Sequence, residues 1–409
     1  MEVAIAGGGI GGLALALNLH RRGISCHVYE TAPEIRELGV GITLLPHAMR
    51  ELTTLGVQDV ITAAGIENVE SCFFNRFGQL IYKEPRGKLA GYSYPEIGIH
   101  RGKLHKILYD EALKVLGRDR ITTNRQCLGV DQGDTGILLR MRETTSGAEL
   151  PSVKADVAIA CDGINSALRR QHYPDEKVAF SGINTWRGVT RRKPILTGRS
   201  YMRVGSIRTG KMVIYPIIDK VDDQGNQLIN WMAEIQTENA AINDWNKSGK
   251  LEDFLPIYAG WKFDWLDVGD LIRNSDQILE YPMVDKDPVD RWTFGRVTFL
   301  GDAAHPMYPR GSNGAAQALI DARTLADILA KSPDAAAALT EYETVRLAPA
   351  SKVVRTNREF PPDFLNIKVE ELTGDKPFNN LDDYISQDEL RTLSDNYKKI
   401  AGFAVESVK

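Results

Sequence analysis

The chain has 409 residues, 25% charged and 43% hydrophobic, with a net charge of −4; that is long enough for two domains or one elaborated α/β domain, and it gives no electrostatic footprint for nucleic acid or an anionic membrane. No apolar run approaches the roughly 18 residues of a membrane-spanning helix. The four cysteines (Cys26, Cys72, Cys127, Cys161) lack C-x-x-C spacing and the seven histidines form no H-x-x-x-H or H-x-H pair, which predicts reduced thiols in a cytoplasmic protein and no protein-bound metal.

Residues 3–6 form a short apolar strand that runs straight into Gly7-Gly8-Gly9-Ile10-Gly11-Gly12. A helix-like segment, 13–22, and a second apolar strand, 26–29, follow, and the strand ends on Glu30. In this G-x-G-x-x-G spacing Gly7 permits the tight turn and Gly9 lets the backbone approach a pyrophosphate. Gly12 lets the helix pack closely on the strand. The helix N-terminus offers free N–H groups and partial positive charge to phosphates. An acid at position 30 accepts hydrogen bonds from an adenosine ribose. The stretch predicts a Rossmann-type dinucleotide site.

A loop at 31–42 comes next, its Gly39 and Gly41 suited to close approach by something flat. Residues 46–55 read as a helix, 72–74 and 80–82 as paired strands around a turn at Gly78, and Gly98 opens a helix that runs to Leu116. Strands follow at 137–141 and 155–161, the second ending on Asp162-Gly163. From Phe180 to Asp276 the segments around Trp186, Tyr215 and Trp231 are bulky and aromatic, which predicts an inserted antiparallel sheet facing a planar ligand. Gly205-Ser-Ile-Arg-Thr-Gly210-Lys211 matches part of a phosphate-binding loop. Met212 cannot ligate Mg²⁺ and the next residues alternate like a strand, so this match is chance. Residues 296–300 return as a buried strand into Gly301-Asp302 and the loop Pro309-Arg310-Gly311-Ser312-Asn313-Gly314-Ala315, with a helix at 315–329. The tail after Pro361-Pro362 is charged and carries an amphipathic helix at 387–400.

Three elements, Gly7-x-Gly9-x-x-Gly12 with Glu30, Asp162-Gly163, and Gly301-Asp302 with the 309–314 loop, together resemble the fingerprints of single-component flavoprotein aromatic hydroxylases, the para-hydroxybenzoate and salicylate hydroxylase group. The resemblance covers residues 1–360. Within that group, Gly39-Val-Gly41-Ile42, Ile99-His-Arg101-Gly, Thr185-Trp186-Arg187-Gly188, Tyr281-Pro-Met-Val-Asp285 and Met307-Tyr308-Pro309 look like the phenazine-carboxylate monooxygenases.

The resemblance implies an α/β fold with a Rossmann-like FAD-binding domain of para-hydroxybenzoate hydroxylase type, assembled from 1–75, 99–180 and 277–360. An antiparallel β-sheet substrate domain is inserted from 76–98 and 181–276, and 361–409 is a C-terminal helical segment. FAD would lie on Gly7, Gly9, Gly11 and Gly12, with Glu30 on the adenosine ribose and backbone near Cys127 and Leu128 on adenine. Arg101 would reach the phosphates, Gly41 the ring system, and Asp302 the ribityl chain or pyrophosphate. Asp162 would lie near flavin and pyridine nucleotide, and the backbone of Pro309, Gly311, Asn313, Gly314 and Ala315 at the isoalloxazine. NADH or NADPH would be a transient co-substrate, and O₂ would add to the flavin at C4a before hydroxyl transfer to an aromatic or N-heteroaromatic acid. Trp186, Arg187, Tyr215, Tyr308 and Arg310 are candidates for the substrate pocket. Tyr215 and Arg187 are the catalytic candidates, Tyr215 to accept or relay a proton or else to fill the core. Arg310, where salicylate-type members carry an aromatic or aliphatic residue, would grip a carboxylate bidentately or lie in solvent. Two other classes share parts of the pattern. A flavin-dependent epoxidase or oxidase on a non-aromatic substrate would keep all three fingerprints. A non-enzymatic dinucleotide-fold binding protein would not need Asp302 and the Gly311 loop. The expected assembly is a monomer or homodimer.

Overall fold

The computed structural model describes residues 1–37, 39–238, 248–359, 363–400 and 405. The Pro361-Pro362 break lies outside them. Five parallel strands form the first sheet, in the order Val297–Phe299, Val157–Ala160, Glu2–Ala6, Ser25–Tyr29, Ile121–Thr122. A central parallel strand is covered on both faces and so reads as a continuous apolar run; Val3, Ala4, Ile5 and Ala6 are all buried. Helices Ile10–Arg21, Arg101–Leu116 and Gly314–Leu329 cover one face. A three-stranded meander, Arg125–Gln132, Ile137–Glu143 and Glu149–Ala155, packs Val130, Leu139 and Met141 into the same core.

The second sheet has seven strands, in the order Ser275–Asp285, Ala179–Arg192, Gln227–Gln236, Gly210–Ile218, Ser200–Ser206, Glu70–Phe74, Leu80–Pro85. All its pairs are antiparallel except Ser200–Ser206 with Glu70–Phe74. The false phosphate loop at 205–211 is the hairpin between Ser200–Ser206 and Gly210–Ile218. This sheet draws Glu70–Phe74 from before the boundary expected at residue 75, and Ser275–Asp285 runs across the one expected at 276. One face is sealed by helices Leu251–Tyr258 and Val268–Arg273 around Trp186, Trp231, Met202, Ile214 and Phe254. The other face turns toward the parallel-sheet domain. A small sheet, Gly41–Leu44, Ile97–His100 and Ile66–Glu67, docks there, where Gly41 N–H donates to Asn230 Oδ1 at 2.7 Å.

Two local expectations are corrected. Gly98 does not open a helix: Ile97–His100 pairs with Gly41–Leu44, the β-branched Ile97 and Ile99 favouring a strand, and the helix begins at Arg101. A 25-residue helix, Ala335–Glu359, was not anticipated. Its buried side mixes Leu339, Tyr342 and Val354 with Arg346, Ser351, Thr356 and Asn357, which blurs the apolar-against-polar pattern. Beyond it, helices Phe364–Thr373 and Gln387–Ile400 pack Leu365, Val369 and Leu390 against Phe73, Ile81 and Tyr82 of the seven-stranded sheet.

Candidate functional site

The Glu2–Ala6 strand hands over to helix Ile10–Arg21 through a turn in which Gly7 has φ +107. A Cβ on Gly7 would sit 2.3 Å from the Cys161 carbonyl oxygen, and one on Gly12 only 2.0 Å from the Gly7 carbonyl oxygen. A Cβ on Gly9 would meet nothing within 4 Å, so the loop is tight behind and open in front. Gly11 faces Leu300 and Ala318, and its missing side chain serves helix packing. The helix has no side-chain cap and no acid in its first turn, which leaves its terminal N–H groups for an anion. Glu30 accepts from Gly8 N–H at 2.6 Å and Ala32 N–H at 2.7 Å. A carboxylate has about four acceptor positions, so capacity for ribose hydroxyls remains. Asp162 accepts from Ala167 N–H through one oxygen, while the other is buried without a partner. Leu128 is half-buried on the adjoining meander strand, and Cys127 beside it lies within electrostatic reach of Asp162.

Asp302 follows the Val297–Phe299 strand and is solvent-exposed, yet burial raises its carboxyl above the ordinary range against the pull of His305 and Arg101. That combination describes a group on the wall of a deep cleft. Arg101, exposed at its own helix start, also lies within electrostatic reach of Arg187. In the loop that follows, Gly311 (φ +71) and Ser312 (φ +56) are both left-handed, a conformation that costs a non-glycine residue on the order of 1–3 kcal/mol. Pro309 is exposed, and Asn313 is buried beside His47. Helix Gly314–Leu329 then starts without a side-chain cap or an acid in its first turn, so Gly314 and Ala315 leave N–H groups open. Two uncapped helix ends, the open face over Gly9, Glu30 and the cleft carboxylate of Asp302 fit a flavin dinucleotide. Behind the loop Asp321 accepts from His305 Nε2 at 2.6 Å, Arg346 Nε at 2.6 Å and Gly301 N–H at 3.1 Å. Burial alone would raise the Asp321 carboxyl, but Arg346 and His305 outweigh it and hold it at about 2. A folded-state pKa below the unfolded one, about 3.9, gives stability that is present above pH 4 and lost as pH falls toward 2. Asp321→Asn is expected to lower the melting temperature at neutral pH and to flatten the acid limb of a pH–melting profile; a parallel profile would contradict this.

The inward face of the seven-stranded sheet carries Thr185, Arg187 and Val189 on one strand, Asn230, Met232 and Glu234 on the next, then Lys211, Val213 and Tyr215, then Tyr201 and Arg203. Trp186 does not join them: alternation turns it to the opposite face, where it stacks on Phe254. Tyr215 is buried and stacked on Tyr201 at 5.0 Å, and burial holds its phenol well above its usual pKa. Tyr308 packs with Ile183 and Met283, and its hydroxyl is held by Asp285, which in turn is gripped by Arg358 through two 2.7 Å contacts.

Lys211 is fully buried and neutralised by Glu234 at 2.8 Å and Asp363 at 3.4 Å. Three arginines on this side have no carboxylate within ion-pair distance among the described residues. Arg187 lies over the Tyr281 ring at 5.6 Å with its Nε unpartnered, and burial lowers its pKa. Arg310 is buried at the flavin loop, its Nε also unpartnered. Arg203 is clasped between the Phe73 and Tyr201 rings at 4.9 and 4.6 Å, and donates to Ser71 Oγ at 2.7 Å. Arg203 also lines a small cavity. One edge of that cavity is the Gly311-Ser312 backbone, its apolar walls are Leu45, Phe73, Phe364 and Leu365, and Glu84, Arg86, Ser394, Tyr397 and Lys398 complete it. None of Arg203, Arg86 or Tyr397 was anticipated. A signal existed for the first, a charged residue at an inward position of the strand Ser200–Ser206, whose every residue is buried. None existed for Tyr397, which reaches the cavity from the far end of the chain.

Residues 1–242 and 274–357 match the FAD binding domain family. The chain belongs to that family and is a flavoprotein monooxygenase of the aromatic hydroxylase group. It is 41% identical to the phenazine 1,6-dicarboxylic acid hydroxylase PhzS of Lysobacter antibioticus, over 88% of this chain and 89% of that one. It is 32% identical to the 3-amino-4-hydroxybenzoate 2-monooxygenase PtmB3 of Streptomyces platensis, over 88% and 87%. Its fold is that of Klebsiella pneumoniae HpxO complexed with FAD and uric acid, with a TM-score of 0.78 at 23% identity over 100% of this chain and 96% of that one. No helix among the described residues is long and apolar enough to cross a membrane.

Proposed function

We propose that this enzyme hydroxylates a planar aromatic or N-heteroaromatic carboxylic acid, with loss of the carboxylate where the attacked carbon carries it. One observation carries the reading: a pocket beside Gly311-Ser312, with apolar residues on its walls and a buried arginine, Arg203, that has no carboxylate within ion-pair distance among the described residues. Relatives named for a phenazine dicarboxylic acid and an aminohydroxybenzoate support it, because both substrates are aromatic acids. FAD, reduced by NADH or NADPH, would supply the activation of O₂ and the delivery of one oxygen atom. Glu30 would hold the adenosine ribose, Arg101 and the Gly9 turn the phosphates, and Asp302 the ribityl chain. The N–H groups of Gly314 and Ala315 would face the ring. The remaining task of the chain is to orient the acid and keep water out, for which Leu45, Phe73, Phe364 and Leu365 supply the apolar walls.

The nicotinamide is expected to visit the flavin transiently, since among the described residues the parallel sheet has a single glycine-rich strand-to-helix turn, at Gly7. The test is a panel of hydroxybenzoates and of pyridine, quinoline and phenazine carboxylates, scored for NADH and NADPH consumption and for product mass. Reductant consumption that no acid stimulates would end the reading. Asp302→Ala is expected to purify with much less FAD at an unchanged apoprotein melting temperature, because it removes an acceptor for a ligand hydroxyl and leaves the apolar core alone. Full FAD content in that variant would remove Asp302 from the site.

A further inference from the structure

The family match ends at residue 357, yet the cavity is completed by residues beyond it. Helix Gln387–Ile400 sends Ser394, Tyr397 and Lys398 to its wall, and helix Phe364–Thr373 sends Phe364 and Leu365. The last helix is fastened to the sheet at both ends: Gln387 Nε2 donates to the Ile81 carbonyl at 3.1 Å, and Glu84 accepts from Ser394 Oγ at 2.7 Å and from Lys398 Nζ at 2.8 Å. Burial works against the charge on Glu84, but Lys398 and Arg86 outweigh it and hold the carboxyl below its usual range, so the fastening is ionic at neutral pH.

Tyr397 occupies the centre of this arrangement. Its ring sits 5.8 Å from that of Phe364. Its hydroxyl would be 2.8 Å from a Cβ placed on Gly311, so a residue of the last helix lies against the flavin loop itself. Arg203 and Arg86 both act electrostatically on the same phenol, against a burial that pushes it up to about 12. At neutral pH it is therefore a donor, in a cavity that also presents the uncompensated cation Arg203.

We propose that helix Gln387–Ile400 is the specificity element of this enzyme: Tyr397 donates a hydrogen bond to the anionic substituent that Arg203 faces, and the Glu84 fastening fixes the depth of the cavity and hence the number of fused rings it admits. The proposal rests on the aromatic-acid reading above. A hydroxyl aimed at a charged acceptor contributes more than one between neutral groups, and a wall held at both Ser394 and Lys398 limits length as well as charge.

The full chain, loaded with FAD, would be titrated with benzene, quinoline and phenazine carboxylic acids, following the flavin absorbance change and, independently, the heat of binding. Tyr397→Phe is expected to weaken binding of the preferred acid about tenfold while keeping FAD content and the order of preference by ring number. Tyr397→Ala is expected to weaken it further and to shift preference toward acids with more rings. If the alanine variant melts early, the phenylalanine variant still decides the hydrogen bond. Parent-like affinities for every acid in both variants would overturn the proposal alone. A parent protein that holds FAD and binds no acid would overturn the aromatic-acid reading, and the proposal with it.

Discussion

Gly12→Ala is expected to abolish FAD retention. The added Cβ would lie 2.0 Å from the Gly7 carbonyl oxygen and 3.3 Å from the Cys161 side chain. Gly7 cannot withdraw, because its own Cβ position is only 2.3 Å from the Cys161 carbonyl oxygen and its φ of +107 is left-handed. The first helix must therefore lift from the sheet. Overpacking of this kind costs roughly 1–3 kcal/mol or more, and a displacement of about 1 Å at a binding site can cost about 10²-fold. Gly9→Ala separates the two effects. It meets no protein atom within 4 Å, so it should leave apoprotein stability unchanged and still obstruct the pyrophosphate. The ratio of flavin to protein absorbance after gel filtration, with the melting temperature of the apoprotein, reads both. A Gly12→Ala protein that purifies fully yellow would show that this turn does not carry the dinucleotide.

Arg203→Met is expected to raise KM for the aromatic acid by about 10²-fold or more and to leave the decarboxylated analogue little changed. Methionine keeps most of the apolar contact with Phe73 and Tyr201 and removes the charge. Leaving a buried carboxylate without its charged partner costs on the order of 2–5 kcal/mol. Arg310 and Arg187 were the expected partners from the sequence, and both are cations without carboxylates, so Arg310→Met and Arg187→Met belong in the same series. The structure gives Arg203 priority because it lines the cavity wall, whereas neither of the other two does. Equal losses on the acid and its analogue would mean that Arg203 supports packing only. If none of the three arginines discriminates, a neutral phenol or fused heterocycle becomes the better substrate class.

The nucleotide end of this protein was legible because its chemistry is local. A tight turn, a helix start and an acid at the end of the next strand sit within Gly7, Gly9, Gly12 and Glu30, and the backbone dictates each from its neighbours. The same holds for Asp302 and the Gly311 loop, which lie between one strand and one helix. The substrate side could not be read that way. Trp186 and Arg187 are adjacent in sequence, and only the register of the seven-stranded sheet decides that one faces Phe254 and the other the opposite, inward face. Tyr215 is aromatic and central, as expected, but only the packing places it in a buried stack with Tyr201. Arg203, Arg86 and Tyr397 meet across a cavity although they lie far apart along the chain, because strands from both sides of the expected domain boundary share one sheet and the last helix folds back onto it. Sequence by itself determined the FAD-binding fold and the strand-turn-helix built on Gly7, Gly9 and Gly12, since turn sterics and helix ends are short-range. Which side chains line the cavity was decided only by tertiary packing, which sums contacts between residues that no spacing rule connects.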